Sequence, residues 1–430
     1  MDGRRSGKTI LILFLIGAGF VARLALLWAA GRAPAGPLSG GSDAPAYILL
    51  GHAVALGKGL TYVGQATALR APLYPLMLAS LDLVFGSWSL LIMRIVQVVA
   101  AILTAWVCAQ TAVQLWGEDS KWTVFGLAMF MPTLLFFTPQ ILTETFTALL
   151  VSLFLYFLVR VDGEVDQKVD RKEEWKSLVA TGACAGVSML LRSNTLFLPF
   201  VAAASALRMP VGWKNIKRGI VPVAIAALIV SPWIVRNLVV FHGGVVYSSL
   251  SGIATLDGAL APQGRTQPGE ESEVWKRAGW ALADIETDSP RRLQFASEAD
   301  LNRRARHEAV RAWSALEFHI VPLLAKKVSY FWLGTDQLLA TGSFPIGQRI
   351  LRAGGVLFYW GILGLAIAEW FRLRKAAPRT AYVLLFYCVA ATMLHLPVTM
   401  NTRLRVPLVD PLLCVLAGGA ISAAFANERG

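Results

Sequence analysis

The sequence predicts an all-α polytopic membrane protein, with about ten transmembrane helices of the roughly 20 apolar residues a bilayer demands and juxtamembrane helices in the first outer loop. Two features of the 430 residues carry this reading. Hydrophobic residues make up 56% of the chain and charged ones only 16%, where soluble domains carry about a quarter. The charges are also segregated, so long uncharged runs lie between short basic clusters. The net charge of +13 marks loops that face anionic lipid. No basic run is interleaved with aromatics as a nucleic-acid groove requires. Cys108, Cys184, Cys388 and Cys414 all fall in apolar runs without a CxxC pair, which reads as inert buried thiols.

The apolar runs fall at 9–30, 88–116, 121–138, 141–160, 177–191, 193–208, 219–240, 348–371, 380–397 and 406–425. The first follows a basic start, yet it is long enough to span, and no small-residue cleavage site follows a short core; it reads as an uncleaved first helix. The pair 177–191 and 193–208 is split by Arg192, as a tight hairpin or one broken helix. Residues 72–86 are apolar but short, which suits a segment lying along or re-entering the surface.

Short-loop cations set the orientation. With the N-terminus inside, the inner loops hold Arg4, Arg5 and Lys8; Lys121; Lys168, Arg171, Lys172 and Lys176; Arg208, Lys214, Lys217 and Arg218; and Arg372, Arg374, Lys375 and Arg379, as the positive-inside rule asks. The whole chain, 1–430, then reads as one integral membrane domain with two outer segments, 31–87 and 242–346. Within the second, 270–282 and 298–318 read as polar helices with Trp275, Trp280 and Trp313 as candidate interface anchors. Residues 321–333 mix Lys326 and Lys327 with three aromatics, which suits a helix in the headgroup layer.

The polar residues at outer span ends are the candidates for chemistry. Asp43 follows the first span, Glu144 opens the fourth, Arg192 lies at an outer turn, Arg236 closes the seventh, and Arg403 and Arg405 open the last. The loop from Gly41 to Pro75 adds Tyr47, Lys58, Tyr62, Arg70, Tyr74 and a glycine hinge at Gly57 and Gly59. Ionisable groups at membrane depth are costly and survive where they pair or face a wet cavity. Two carboxylates and several arginines on one leaflet suggest a site that holds a phosphate and moves a proton. Each has a plainer alternative. Asp43 fits a helix N-cap, and Glu144 complements a helix dipole. The arginines suit snorkelling or headgroup contact, and the tyrosines an aromatic belt. His52, His242, His319 and His395 show no metal-ligand spacing.

In order along the chain, these motifs resemble the GT-C membrane glycosyltransferases, specifically the protein O-mannosyltransferase and lipid A aminoarabinose transferase family (glycosyltransferase family 39-like). The resemblance rests on Asp43 and Tyr47, on Ala55-Leu56-Gly57, on Arg70 before Pro72, Tyr74 and Pro75, on Ile141 to Glu144, on Pro232-Trp233 before Arg236-Asn237, and on Arg403, Arg405, Pro407 and Pro411. Several members carry a second acid where this chain has Ala44.

The resemblance implies a GT-C-like bundle and an inverting transfer of sugar from a polyprenyl-phosphate donor to a lipid, glycan or protein acceptor. The reaction would lie at the periplasmic face of a bacterial inner membrane. It implies Asp43 as general base, Glu144 positioning acceptor or metal, and Arg70 and Arg236 clamping the donor phosphate. Lys58, Arg192 and Arg403 would be further phosphate cations, with Tyr47 and Tyr74 positioning substrate. Metal need is left open: Asp43 and Glu144 are compatible with a divalent metal ion without demanding one. A transporter or flippase would place its charges nearer the midplane and in paired halves. A glycan ligase or polymerase would more usually take a pyrophosphate carrier.

Overall fold

The computed structural model describes residues 2–30, 43–62, 64–162, 171–207, 213–261, 297–335, 346–398 and 400–427. Helix α1 (Asp2–Ala30) is followed in the first outer loop by α2 (Asp43–Ala55) and α3 (Leu73–Phe85). Between these two a minimal hairpin pairs β1 (Thr61–Tyr62) with β2 (Gln65–Ala66), Thr61 opposite Ala66. Gly57 and Gly59 stand at φ 72° and 69°, backbone that a side chain would strain, so the expected hinge is a turn that needs glycine. The bundle continues with α4 (Ser89–Trp116), α5 (Lys121–Phe130), α6 (Pro132–Phe137), α7 (Glu144–Asp162), α8 (Arg171–Leu191), α9 (Leu198–Ala206) and α10 (Trp213–Val240). The second outer segment gives α11 (Ser251–Leu260), α12 (Glu298–Ser314) and α13 (Ile320–Leu333). The chain then forms α14 (Ile346–Ala376), α15 (Pro378–His395) and α16 (Thr402–Asn427).

Among the described residues each apolar run read from the sequence falls mainly on helix, and the protein is a multi-pass membrane protein. Among the described residues five helices are long and apolar enough to cross a bilayer: Leu73–Trp116, Glu144–Val161, Asn215–Val240, Arg352–Ala376 and Thr402–Phe425. Two details differ from expectation. The run 121–138 is two helices, broken at Met131 (φ −58°, ψ 114°) before Pro132, because proline drives the preceding residue out of the helical region. Residues 72–86 do not lie apart from the fourth helix: α3 joins α4 through a single short turn at Gly86. Arg192 is extended (φ −155°, ψ 130°), which resolves the pair around it as two helices. The expected helix 270–282, with Trp275 and Trp280, lies outside the described residues.

Helix α16 is the axis of the bundle. It is apolar nearly all round and buried from Val406 to Ala417, as a helix enclosed by others must be, and it packs on α4, α5, α7 and α14. Small residues let other helices close up. A Cβ at Gly182 would stand 2.7 Å from the Pro222 backbone, and one at Gly186 3.0 Å from the Cα of Ala226, so α8 and α10 meet backbone to backbone in the small-xxx-small manner. Outside the bundle, α11 and α12 bury Ile253, Leu256, Leu301, Ala305 and Ala309 between them. Trp313, expected as an interface anchor, donates its indole N–H to the carbonyl of Thr255 at 3.1 Å and ties α12 to α11.

Candidate functional site

The site forms where α2, the end of the first outer loop, the start of α7, the turn after α8 and the start of α16 converge. Its floor is an apolar cluster of Ala44, Tyr47, Tyr74, Leu78, Met93, Phe137, Ile141, Leu142, Phe146, Leu191 and Val406. Proline makes the approach to Glu144 irregular: residues 138–143 are not helical, yet they are mostly buried. Backbone of that kind survives in a membrane protein only where its polar groups are satisfied inside. Here Gln97 donates to the carbonyls of Thr138 (2.8 Å) and Gln140 (2.6 Å), and Arg94 to that of Pro139 (3.0 Å). Gln97 in turn accepts from the Tyr74 hydroxyl at 2.7 Å. Tyr74 meets Tyr47 edge to face, centroids 5.0 Å apart. The two tyrosines are thus packed into the floor of the site rather than placed in an aromatic belt.

On this floor lies a chain of alternating charge. Arg70 bonds one oxygen of Asp43, while Arg403 bonds the other at 2.7 Å. Arg403 also donates its Nε to Glu144, and Arg192 reaches the same Glu144 oxygen at 2.6 Å. Arg403 therefore bridges two carboxylates 101 residues apart in sequence. Arg70 leans over the Tyr47 ring, 5.7 Å from its centroid. Three guanidiniums against two carboxylates leave one positive charge in excess. Burial pushes the Asp43 carboxyl up, but Arg70, Arg403 and Arg192 together hold it below the ordinary value of 3.8. The same burial raises the Tyr47 phenol, so it stands as a neutral hydrogen-bonding group.

Three sequence candidates lie elsewhere. Arg236 donates to the carbonyls of Thr67 (2.8 Å) and Leu60 (3.3 Å), with Trp233 and Phe241 against its guanidinium; it latches the outer loop that delivers Arg70. Lys58 is exposed in the glycine turn and pairs with neither carboxylate. Arg405 is fully buried, bonded to Asp410 and to the carbonyls of Phe331 (3.0 Å) and Gly334 (3.1 Å), with the Tyr359 ring 4.1 Å away.

Sequence reading missed Glu298, whose carboxylate accepts from the Thr67 hydroxyl and the Ala68 amide (2.9 Å) and so holds the same loop from α12. The only signal was the helix start Ser297-Glu298-Ala299-Asp300, where Ser297 caps the Asp300 amide. Among the described residues no three His, Cys, Asp or Glu side chains converge as metal ligands. Both oxygens of Asp43 and one of Glu144 already take guanidiniums, and the excess positive charge repels a dication. As they stand, these residues do not fit a divalent metal.

Residues 69–235 match the family model described as dolichyl-phosphate-mannose-protein mannosyltransferase. No curated protein sequence matches the chain significantly. Among solved structures it is similar to the archaeal oligosaccharyltransferase AglB from Archaeoglobus fulgidus in complex with an inhibitory peptide and a dolichol-phosphate (TM-score 0.55, 14% identity). The match covers 97% of this chain and 50% of that one, so the chain spans about half the length of that relative. The same enzyme with zinc and sulfate gives TM-score 0.55 at 14% identity, over 96% of this chain and 49% of that one. ArnT from Cupriavidus metallidurans bound to undecaprenyl phosphate gives 0.43 at 14% identity, over 97% and 79%. The family match is confined to residues 69–235, and the structural likeness shows that the chain has the GT-C fold.

Proposed function

We propose that this protein is an inverting glycosyltransferase. It moves a sugar from a polyprenyl-phosphate-linked donor to an acceptor hydroxyl or phosphate at the periplasmic face of a bacterial inner membrane. The observation that supports this most directly is the Arg70–Asp43–Arg403–Glu144–Arg192 chain. A sugar phosphodiester carries a single negative charge, matched by the excess of one guanidinium. Transfer breaks the bond from the anomeric carbon to the phosphate oxygen, which keeps the electron pair and gains negative charge. Arginines placed around that oxygen stabilise the transition state. The new bond forms from the acceptor oxygen, and Asp43 takes the proton from an acceptor hydroxyl. Glu144 positions the acceptor and holds Arg403 and Arg192 in place.

An aspartate paired with two guanidiniums is a weak base. Arrival of the donor phosphate gives those guanidiniums a second anion, loosens their hold on Asp43 and raises its basicity when a base is needed. The relatives' bound ligands agree in kind: AglB carries a dolichol-phosphate and ArnT undecaprenyl phosphate. Similarity to an oligosaccharyltransferase favours, as a second reading, transfer of a whole glycan. A pyrophosphate-linked donor used in preference to a monophosphate-linked one would select it.

The test is sugar release from a labelled polyprenyl-phosphate sugar by the purified protein with no ion gradient. Asp43→Asn should lower turnover about 10²- to 10⁴-fold, the usual worth of a general base. Native turnover in that variant at equal expression removes Asp43 from the mechanism. Chelation of divalent ions should leave native turnover unchanged; abolition by chelation, restored by added metal, overturns the assignment of charge neutralisation to the arginines.

A further inference from the structure

Glu144 also borders a cavity with room for about one water molecule, whose lining includes Arg23, Thr104, Phe137, Thr145 and Ala148. Arg23 comes from α1 and is only 1% exposed. Its Nη1 donates to the Gly19 carbonyl at 3.1 Å, within its own helix, while Nε and Nη2 have no partner. Among the described residues the one carboxylate lining the cavity is Glu144, whose Oε1 takes Arg192 and Arg403 while Oε2 is buried without a partner. A buried arginine in a spanning helix is costly unless it is paired, and a buried carboxylate oxygen left bare costs similarly. Each group lacks what the other supplies, at the walls of one small cavity. Two unpartnered donor atoms and one unpartnered acceptor belong to residues lining one cavity, and a water can accept from the former and donate to the latter.

We infer that Arg23 is a positioning residue for Glu144. It holds the carboxylate by Oε2 through one water in this cavity, while Arg192 and Arg403 hold Oε1. Helix α1 is thereby coupled to the charge cluster, although among the described residues it packs mainly along α4 and α5. Gly19 permits this seat: a Cβ there would fall 2.1 Å from the Met129 side chain. The effect on turnover rests on the function proposed above; the pairing itself does not.

Three measurements on the full chain in detergent test it. In a thermal cycle, Arg23→Gln and Glu144→Gln should each lower the melting temperature, and the double variant should lie no lower than the worse single one, the mark of groups that act together. Fully additive losses overturn the pairing. The infrared carboxylate band, assigned to Glu144 by its loss in Glu144→Gln, should shift in Arg23→Gln and again in Ala148→Leu, which fills the cavity without touching a charge. A band at its native position in both folded variants also overturns it. In turnover of a polyprenyl-phosphate sugar, Arg23→Gln should lower kcat at unchanged donor KM, with Arg23→Lys restoring most of it. Coupled melting and a shifted band in a protein that transfers no sugar would uphold the pairing and sink the transferase reading instead.

Discussion

Arg403 shows how much can rest on one side chain. It alone joins the outer loop's acid to that of α7, and its Nε and Nη1 serve two different carboxylates. Lysine offers a point charge and cannot span both. Arg403→Lys should therefore behave much like Arg403→Ala, each costing about 3–5 kcal/mol, the usual loss when a buried ion pair is broken from one side. Chemical or thermal unfolding will read it. The acid limb of the pH profile follows from Asp43. Its carboxyl sits below the ordinary 3.8 when folded, so the stability its pairs contribute is fully present above that value and is lost as pH falls through the depressed one. Stability of the native protein should thus outlast that of Asp43→Asn from neutral pH down to about 4, the two converging only in stronger acid. A difference that persists undiminished into stronger acid, well below pH 4, excludes the ion pairs as its source. Asp43, Glu144, Arg70, Arg192 and Arg403 were legible as candidates because charge is rare in an apolar chain. Which cation faces which acid was not, since partners up to 360 residues apart leave no local pattern.

At the scale of elements, the outer loop is held from two sides, by Arg236 of α10 and Glu298 of α12. Arg236 reads from sequence as a phosphate clamp; its carbonyl contacts give it a loop to hold. Arg236→Ala should speed hydrogen exchange of the 60–68 amides and weaken donor use through Arg70. Exchange at the native rate with lost activity would return Arg236 to the substrate. Helix identity was legible because hydropathy reports it directly, even where the count of crossings is not. The break at Met131 was also written, in Pro132. The polar helix α12 was legible from its alanine-rich pattern, but its grip on Thr67 and Ala68 was not, because glutamate at a helix start looks the same whether it meets solvent or a loop. Close helix contact is the other element-level feature. Gly182→Leu must push α8 off α10 and should cost about 1–3 kcal/mol by overpacking, read as a lowered melting temperature.

For the whole molecule, the arrangement predicts sidedness. Lys58→Cys should react from outside intact cells with a membrane-impermeant maleimide, and Lys375→Cys should not; Cys108, Cys184 and Cys414 are buried and give little background. Labelling at residue 375 but not 58 would invert the topology and move the charge cluster to the other leaflet. The GT-C architecture itself was legible only as an ordered string of weak motifs. Its physical basis, a central apolar helix whose first turn carries Arg403 to the two acids, emerges when α16 is seen packed at the axis.

Arg405 gives that axial helix a second duty. Its guanidinium clasps the last carbonyls of α13, a helix whose Val321 and Leu333 are exposed, and Arg403 stands just two residues earlier on the same helical turn. The end of α13 is thereby fastened to the first turn of α16, the turn that also carries the guanidinium shared by both acids.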